Sequence, residues 1–259
     1  MQLVYDGSFE GLLCALDAAC ADAGITSLAA AHTAQPQLFG AAREVPTSST
    51  RAAAFARTLR AATSRAVMRN LLYNYLSERA GFEDALLAYV RLAHQRGAAV
   101  DHYHAHDAVR AVHACARKVG HELHRLTGLV RFRELHGGTL WAPIAPDHNV
   151  ACGLAAHFQR RMPSCVWVVY DVRRGYGVRW DTHTLSLVTM DEELQTALQQ
   201  SQQAADNLYT DAEHACQRMW RGYFESITIA ARRNPSLQRR NMPQRYWRYL
   251  IEQPAARAS

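Results

Sequence analysis

A chain of 259 residues, 49% hydrophobic and 20% charged, carries enough apolar surface for a sizeable core, which excludes a disordered or collagen-like protein. The formal charge is +6, and no apolar run approaches the roughly 18–20 residues of a membrane-spanning helix. The opening Met1-Gln2-Leu3-Val4-Tyr5-Asp6 lacks the basic and apolar regions of a secretory signal, so a cytoplasmic protein with no membrane association is expected.

In chain order, Leu3-Val4-Tyr5 predicts a short strand and Asp6-Gly7 a turn, after which Ser8 can cap a helix built on Leu12, Leu13 and Leu16. A Gly-, Pro-, Ser- and Thr-bearing connection runs from Gly24 to about Thr50. From there apolar residues recur at helical spacing, punctuated by Gly81 and Gly97, and the last helix of this part is expected from about His104 to Thr127. Beyond Gly128 the period changes to two. Residues 129–135 and 140–144 flank a Gly137-Gly138 hairpin turn, with Pro143 favouring an edge strand. A helix near Cys152–Arg161 and a buried-looking strand at 166–170 follow, then two short strands at 176–180 and 185–188. Helices are expected near 191–206, 211–232 and 243–252, with 236–240 as a loop. The fold class is α+β in one domain over 1–259. A helical N-terminal half, about 48–127, leads into a small, mainly antiparallel sheet flanked by C-terminal helices, about 128–252.

Charge is distributed unevenly. Residues 109–133 hold six basic side chains against the single acid Glu122, and residues 217–248 hold eight arginines against Glu225. The remainder of the chain is net acidic, so the field is polarised in the way a polyanion requires. The six cysteines are scattered, with no CxxC, which encodes neither a zinc ribbon nor an iron–sulfur cluster; reduced and mostly buried thiols are expected. Asp101, His102, His104, His106 and Asp107 resemble ligands, but only His102 and His106 would share a helix face, and a solvated helix start explains the stretch. No metal site and no cofactor are assigned.

Several motifs occur together and in order: Tyr5-Asp6-Gly7-Ser8-Phe9-Glu10-Gly11-Leu12-Leu13, Arg117-Lys118-Val119-Gly120-His121-Glu122-Leu123-His124-Arg125, Pro146-Asp147-His148-Asn149-Val150, Tyr170-Asp171, and the ending Asn234-Pro235-Ser236-Leu237-Gln238 with Arg245-Tyr246-Trp247-Arg248-Tyr249-Leu250. In these the chain resembles a family of DNA metabolism or DNA repair proteins built on a domain of unknown function. That domain occurs alone or joined to uracil-DNA-glycosylase-type domains and is associated with a DNA-modification radical SAM protein. The resemblance implies an accessory that binds DNA, damaged or single-stranded, and works with such a partner. The chain itself carries neither a cluster-binding cysteine triad nor a glycosylase domain. Gly120 departs from the pattern, at about 1 kcal/mol relative to Ala in a helix, and implies close packing or a bend.

Phosphate contact is expected from Arg117, Lys118, Arg125 and Arg131 around the central helix. In the C-terminal segment it is expected from Arg232, Asn234, Gln238, Arg239, Arg240 and Arg245, with Trp247 as a stacking surface. On the helix after Asp211, the residues Cys216, Met219, Trp220, Tyr223 and Ile227 are expected to face the core, leaving arginines outside. An alternative is acid–base catalysis on DNA or a nucleotide through Glu122, His124, Asp147 and His148. Against it, Glu122 could simply pair with Lys118 and Arg125, and Asp147-His148-Asn149 suits a turn and helix cap. A third reading is a protein–protein adaptor whose basic faces dock acidic surfaces.

Overall fold

A computed structural model describes residues 1–34, 42–190 and 207–252. The fold is α+β and divides into two compact units, Met1–Gly120 and His121–Ser259.

In the first unit, β1 (Gln2–Tyr5) is the centre of a three-stranded parallel sheet, flanked by β2 (Ser27–Ala30) and β3 (Ala42–Glu44). The last two lie inside the stretch expected to be a connection. They are only four and three residues long, and β3 is exposed throughout, so neither carries a strand period to read. Helix α1 (Phe9–Ala21) starts as expected: the Ser8 hydroxyl accepts the N–H of Gly11 at 2.9 Å, and the Asp6 carboxylate accepts the N–H and hydroxyl of Ser8 at 2.9 and 2.7 Å. Helices α2 (Ser49–Ala62), α3 (Arg65–Leu76) and α4 (Phe82–Arg96) complete the layer, with the serine caps Ser48 and Ser64. Gly81 and Gly97 take φ of 74° and 59° at the two ends of α4, a region open to glycine at little cost.

A 3-10 turn over Gly97–His102 precedes α5 (Asp107–Leu129), which starts three residues later than expected. The cause is Asp101. Its carboxylate accepts the Tyr89 hydroxyl at 2.6 Å and the Asn70 amide at 3.2 Å, and it meets Nε2 of His113 at 2.8 Å. This acceptor ties α3, α4 and α5 together, so the histidine-rich stretch is a tethered connection and not a solvated helix start. His102 and His106 consequently share no helix. Among the described residues, no group of three or more His, Cys, Asp or Glu is placed to hold a metal ion.

Gly120 is a packing glycine: a Cβ there would stand 3.2 Å from Cε2 of Tyr73. Gly120→Ala trades about 1 kcal/mol of helix propensity against displacement of a half-buried ring. The expected net change, read by urea unfolding, is within about 1 kcal/mol.

The second unit is built on a five-stranded sheet in the order β4 (Arg133–Glu134), β5 (Leu140–Ile144), β6 (Trp167–Asp171), β7 (Tyr176–Trp180), β8 (Leu185–Thr189). β5 and β6 are parallel, joined through α6 (Ala151–Arg161), and the other pairings are antiparallel. The first strand is shorter than its apolar alternation suggested, because α5 continues to Leu129 and the N–H of Val130 still bonds the carbonyl of Leu126 at 3.1 Å. Gly137 and Gly138 turn the hairpin with φ of 95° and 80°. Pro143 does not mark an edge: β5 lies inside the sheet. It is tolerated because β4 pairs only with Leu140 and Trp141 and never reaches it. All five residues of β6 are buried, as a central strand with both faces covered requires. Val168 and Tyr170 pack with Trp141, Tyr209 and Tyr249 on one face, while the Trp167 ring meets Phe132 and Phe158 on the other.

After β8 come α7 (Asp211–Ser226) and α8 (Pro235–Asn241). α7 ends six residues before the expected stop. The expected loop at 236–240 is helical, because Asn234 caps α8 by accepting the N–H of Leu237 at 3.0 Å and Pro235 is suited to the first turn. The final helix is a 3-10 turn, Gln244–Tyr249. The helix expected over 191–206 lies outside the described residues. Only Cys14 and Cys115 are buried; Cys152 and Cys216 are exposed, contrary to the expectation of mostly buried thiols. Among the described residues, no helix is long and apolar enough to cross a membrane.

Candidate functional site

Glu122 sits in the last turns of α5, in the second unit, with 2% of its surface exposed. Its carboxylate accepts the backbone N–H groups of Asp147 at 3.0 Å and His148 at 2.8 Å. It also accepts the Tyr246 hydroxyl and faces the Arg245 guanidinium at 3.5 Å. The acid therefore turns into the protein and is not merely the surface partner of Lys118 and Arg125. It joins three stretches far apart in sequence: the central helix, the loop after β5 and the C-terminal 3-10 turn.

That loop is clamped from the other side by the turn after β6. Arg174 donates to the carbonyls of Pro146 at 3.2 Å and Asp147 at 3.0 Å, and to the fully buried Asp171 carboxylate at 2.8 Å. The Asp147 side chain points outward, 3.1 Å from Arg245 and 3.9 Å from Arg173. Asn149 accepts the Tyr176 hydroxyl, and the cap position of α6 is held by Val150 with no side-chain bond, so Asp147-His148-Asn149 is a bracing loop and not a helix cap. The loop follows the C-terminal end of a parallel strand and leads into a helix, the place where open α/β sheets present side chains to ligands.

The electrostatics follow from these bonds. Burial pushes the Glu122 carboxyl up, but the Tyr246 hydroxyl and the two backbone N–H groups outweigh it and hold the group below the ordinary carboxylate value. Glu122 is thus an ionised structural acceptor. The Tyr246 phenol is raised, first by burial and then by the adjacent Glu122. Asp171 is raised by burial, against the pull of Arg174. Among the described residues, the buried Nδ1 of His148 has no hydrogen-bond partner.

Of the four catalytic candidates, the structure brings together Glu122, Asp147 and His148 and leaves His124 exposed on α5, outside this bonding network. Arg173, Arg174 and Tyr176 were missed as members of the network. Only the Arg-Arg-Gly turn directly after a buried strand could have signalled the first two.

The phosphate-contact candidates separate by how far they are already engaged. Arg117 and Lys118 are exposed on α5, in the first unit, and Arg125 is half-buried, in the second. Arg131 is committed, held by Glu252 at 2.6 and 3.2 Å. Arg232, Arg239 and Arg240 are exposed, Gln238 is half-buried, and Asn234 is spent as the α8 cap. Trp247 is half-buried with its indole N–H on the carbonyl of Met242 at 2.9 Å, a wedged position rather than an open platform.

The aromatic platform lies elsewhere. On α7 the face expected in the core is outside: Trp220 is 40% and Tyr223 54% exposed, with Cys216, Met219 and Ile227 also exposed. The buried positions are instead Glu213 and Gln217. Glu213 accepts the N–H of Glu134 at 3.1 Å and the Gln217 amide at 2.8 Å, and these bonds anchor the polar side of the helix. Exposed Arg218 and Arg221 flank the rings.

No curated protein and no solved structure matches the chain. A family model does, over residues 80–252, and it spans both the Glu122 network and the α7 surface. With two thirds of its length matched, the chain belongs to the DUF4130 family, a domain of unknown function.

Proposed function

We propose that this protein is an accessory of DNA metabolism that holds a single-stranded or damaged nucleic acid and works beside a radical SAM or uracil-DNA-glycosylase-type partner that carries the bond chemistry. The observation that supports this reading best is the α7 surface, where Trp220 and Tyr223 stand open to solvent beside Arg218. Aromatic rings exposed beside positive charge are costly unless they meet a ligand, and bases stacked on aromatics with phosphates on arginines are the ligand that satisfies both. The exposed Arg239 and Arg240 of α8 add further positive charge to the same unit.

Fluorescence anisotropy with a labelled thymidine 12-mer tests it. Neutralising about four to six phosphates gives a log–log salt slope of about −3 to −5. Arg239→Ala/Arg240→Ala is expected to reduce that slope by up to about two, weakening all sequences alike, because phosphate contacts carry little base information. Salt-independent binding, or none at low salt, rejects the reading. A pull-down with the radical SAM partner, with and without damaged DNA, tests the second half of the proposal.

The convergence of Glu122, Asp147, His148 and Arg245 favours a second reading, acid–base chemistry on a nucleotide. Glu122 is a poor acid or base because its oxygens are already engaged, which leaves His148 as the group to test. Turnover of a nucleotide that disappears in His148→Ala, in a folded protein, would support it.

A further inference from the structure

A cleft of about 350 Å³ opens between α7 and the segment after α5. Glu213, Cys216, Gln217 and Trp220 line it from α7, and Arg131, Phe132 and Ile251 complete the lining. On α7 the spacing 213, 216, 217, 220 places four lining residues on one helical face. We propose that this cleft receives one unstacked base of the strand held on the α7 surface, so that recognition of the nucleic acid includes the insertion of a single base. The inference rests on the nucleic-acid reading above and goes beyond it by naming the moiety bound and its pocket.

The cleft is preformed. The Trp220 indole N–H donates to Glu252 at 3.2 Å, and the same carboxylate holds Arg131 at 2.6 Å, so the ring is fixed and the arginine is charge-balanced before any ligand arrives. A rigid aromatic wall loses little entropy on stacking. The volume is at the low end of the roughly 300–1,000 Å³ of small-molecule pockets, the scale of one heterocycle.

The polar groups have capacity to spare. Gln217 donates one amide hydrogen to Glu213 at 2.8 Å and accepts from Arg221 at 3.3 Å. Its second amide hydrogen, and the remaining lone pairs of Glu213, set a donor beside acceptors, the pattern of a base edge. Outside the cleft the Tyr223 ring lies 5.8 Å from that of Trp220, tilted by 32°, where the next base can stack. An apolar peptide would leave the second Gln217 amide hydrogen and the spare Glu213 lone pairs unused, whereas a base edge can meet them.

The test uses the full chain and exposed Cys216 as its own reporter. At saturation with a thymidine 12-mer, alkylation of Cys216 by N-ethylmaleimide, read by peptide mass spectrometry, is expected to slow by fivefold or more. Exposed Cys152 is the comparison site, and an abasic 12-mer at saturation is expected to leave Cys216 reactive. Cys216→Trp, which sets a bulky ring in the cleft lining, is expected to weaken thymidine 12-mer binding about fivefold or more with the salt slope unchanged. Undiminished Cys216 alkylation in the saturated complex overturns the pocket while leaving the nucleic-acid reading standing. So does equal protection by the abasic strand. Absence of salt-dependent binding by the unmodified protein overturns both.

Discussion

Glu122→Ala is expected to cost about 3–5 kcal/mol of stability, because removing one partner of a buried charged network strands the rest. The N–H groups of Asp147 and His148 would lose their acceptor, and Arg245 and Tyr246 would face a void. For a chain of this length that corresponds to a melting point roughly 10 °C lower. Glu122→Gln keeps the shape, but its amide hydrogens would oppose donors, so about half the loss is expected. The pH dependence gives an independent check. The folded Glu122 and Glu252 carboxyls both lie below their unfolded values. Each therefore contributes stability that is present above the unfolded value near 4.5 and is lost as pH falls through the folded one. Asp171, raised by burial, has the opposite sign and regains stability on protonation. Thermal unfolding between pH 3 and 7 should accordingly show a shallower acid limb in Glu122→Gln than in the wild type. An unchanged acid limb would mean that Glu122 is no better solvated by the fold than by water.

Gly177→Ala is expected to be comparably severe, by about 3 kcal/mol or more. A Cβ at this position of β7 would lie 2.6 Å from the carbonyl oxygen of Val169 and 2.8 Å from Cδ2 of Tyr170. The obstructing atoms belong to the neighbouring strand β6, whose residues are all buried, and a packed ladder can shift only by breaking its own bonds. Urea unfolding would read the loss. The contrast with Gly120→Ala is instructive, since there the neighbour is the edge of a ring that can move.

The strands β5 to β8 and helix α6 of the second unit, the serine-capped start of α1 and the glycine turn at 137–138 were legible from local signals alone. Each is set by residues within a few positions of one another: a hydroxyl and the N–H three residues on, or two residues free to adopt positive φ. The concentration of arginine was legible too, because charge counts need no coordinates. The strands β2 and β3 were not, as segments of three or four residues carry no period and exist through pairing with β1. The inward face of α7 was misread for a related reason: its arginines lie outside as expected, but so do its rings. Its apolar spacing is real, but partners from outside the helix decided which face turned inward: the N–H of Glu134 fixed the side bearing Glu213 and Gln217, and Glu252 took the Trp220 indole N–H. The Glu122 network likewise needs residues 122, 147, 174 and 245 at one place. The sequence by itself determined which groups carry charge, stacking surface and turn geometry, since those are properties of residues and near neighbours. Which acid became a buried acceptor and which rings stayed in water was decided only by the tertiary structure, because burial and hydrogen-bond satisfaction depend on residues a hundred positions apart.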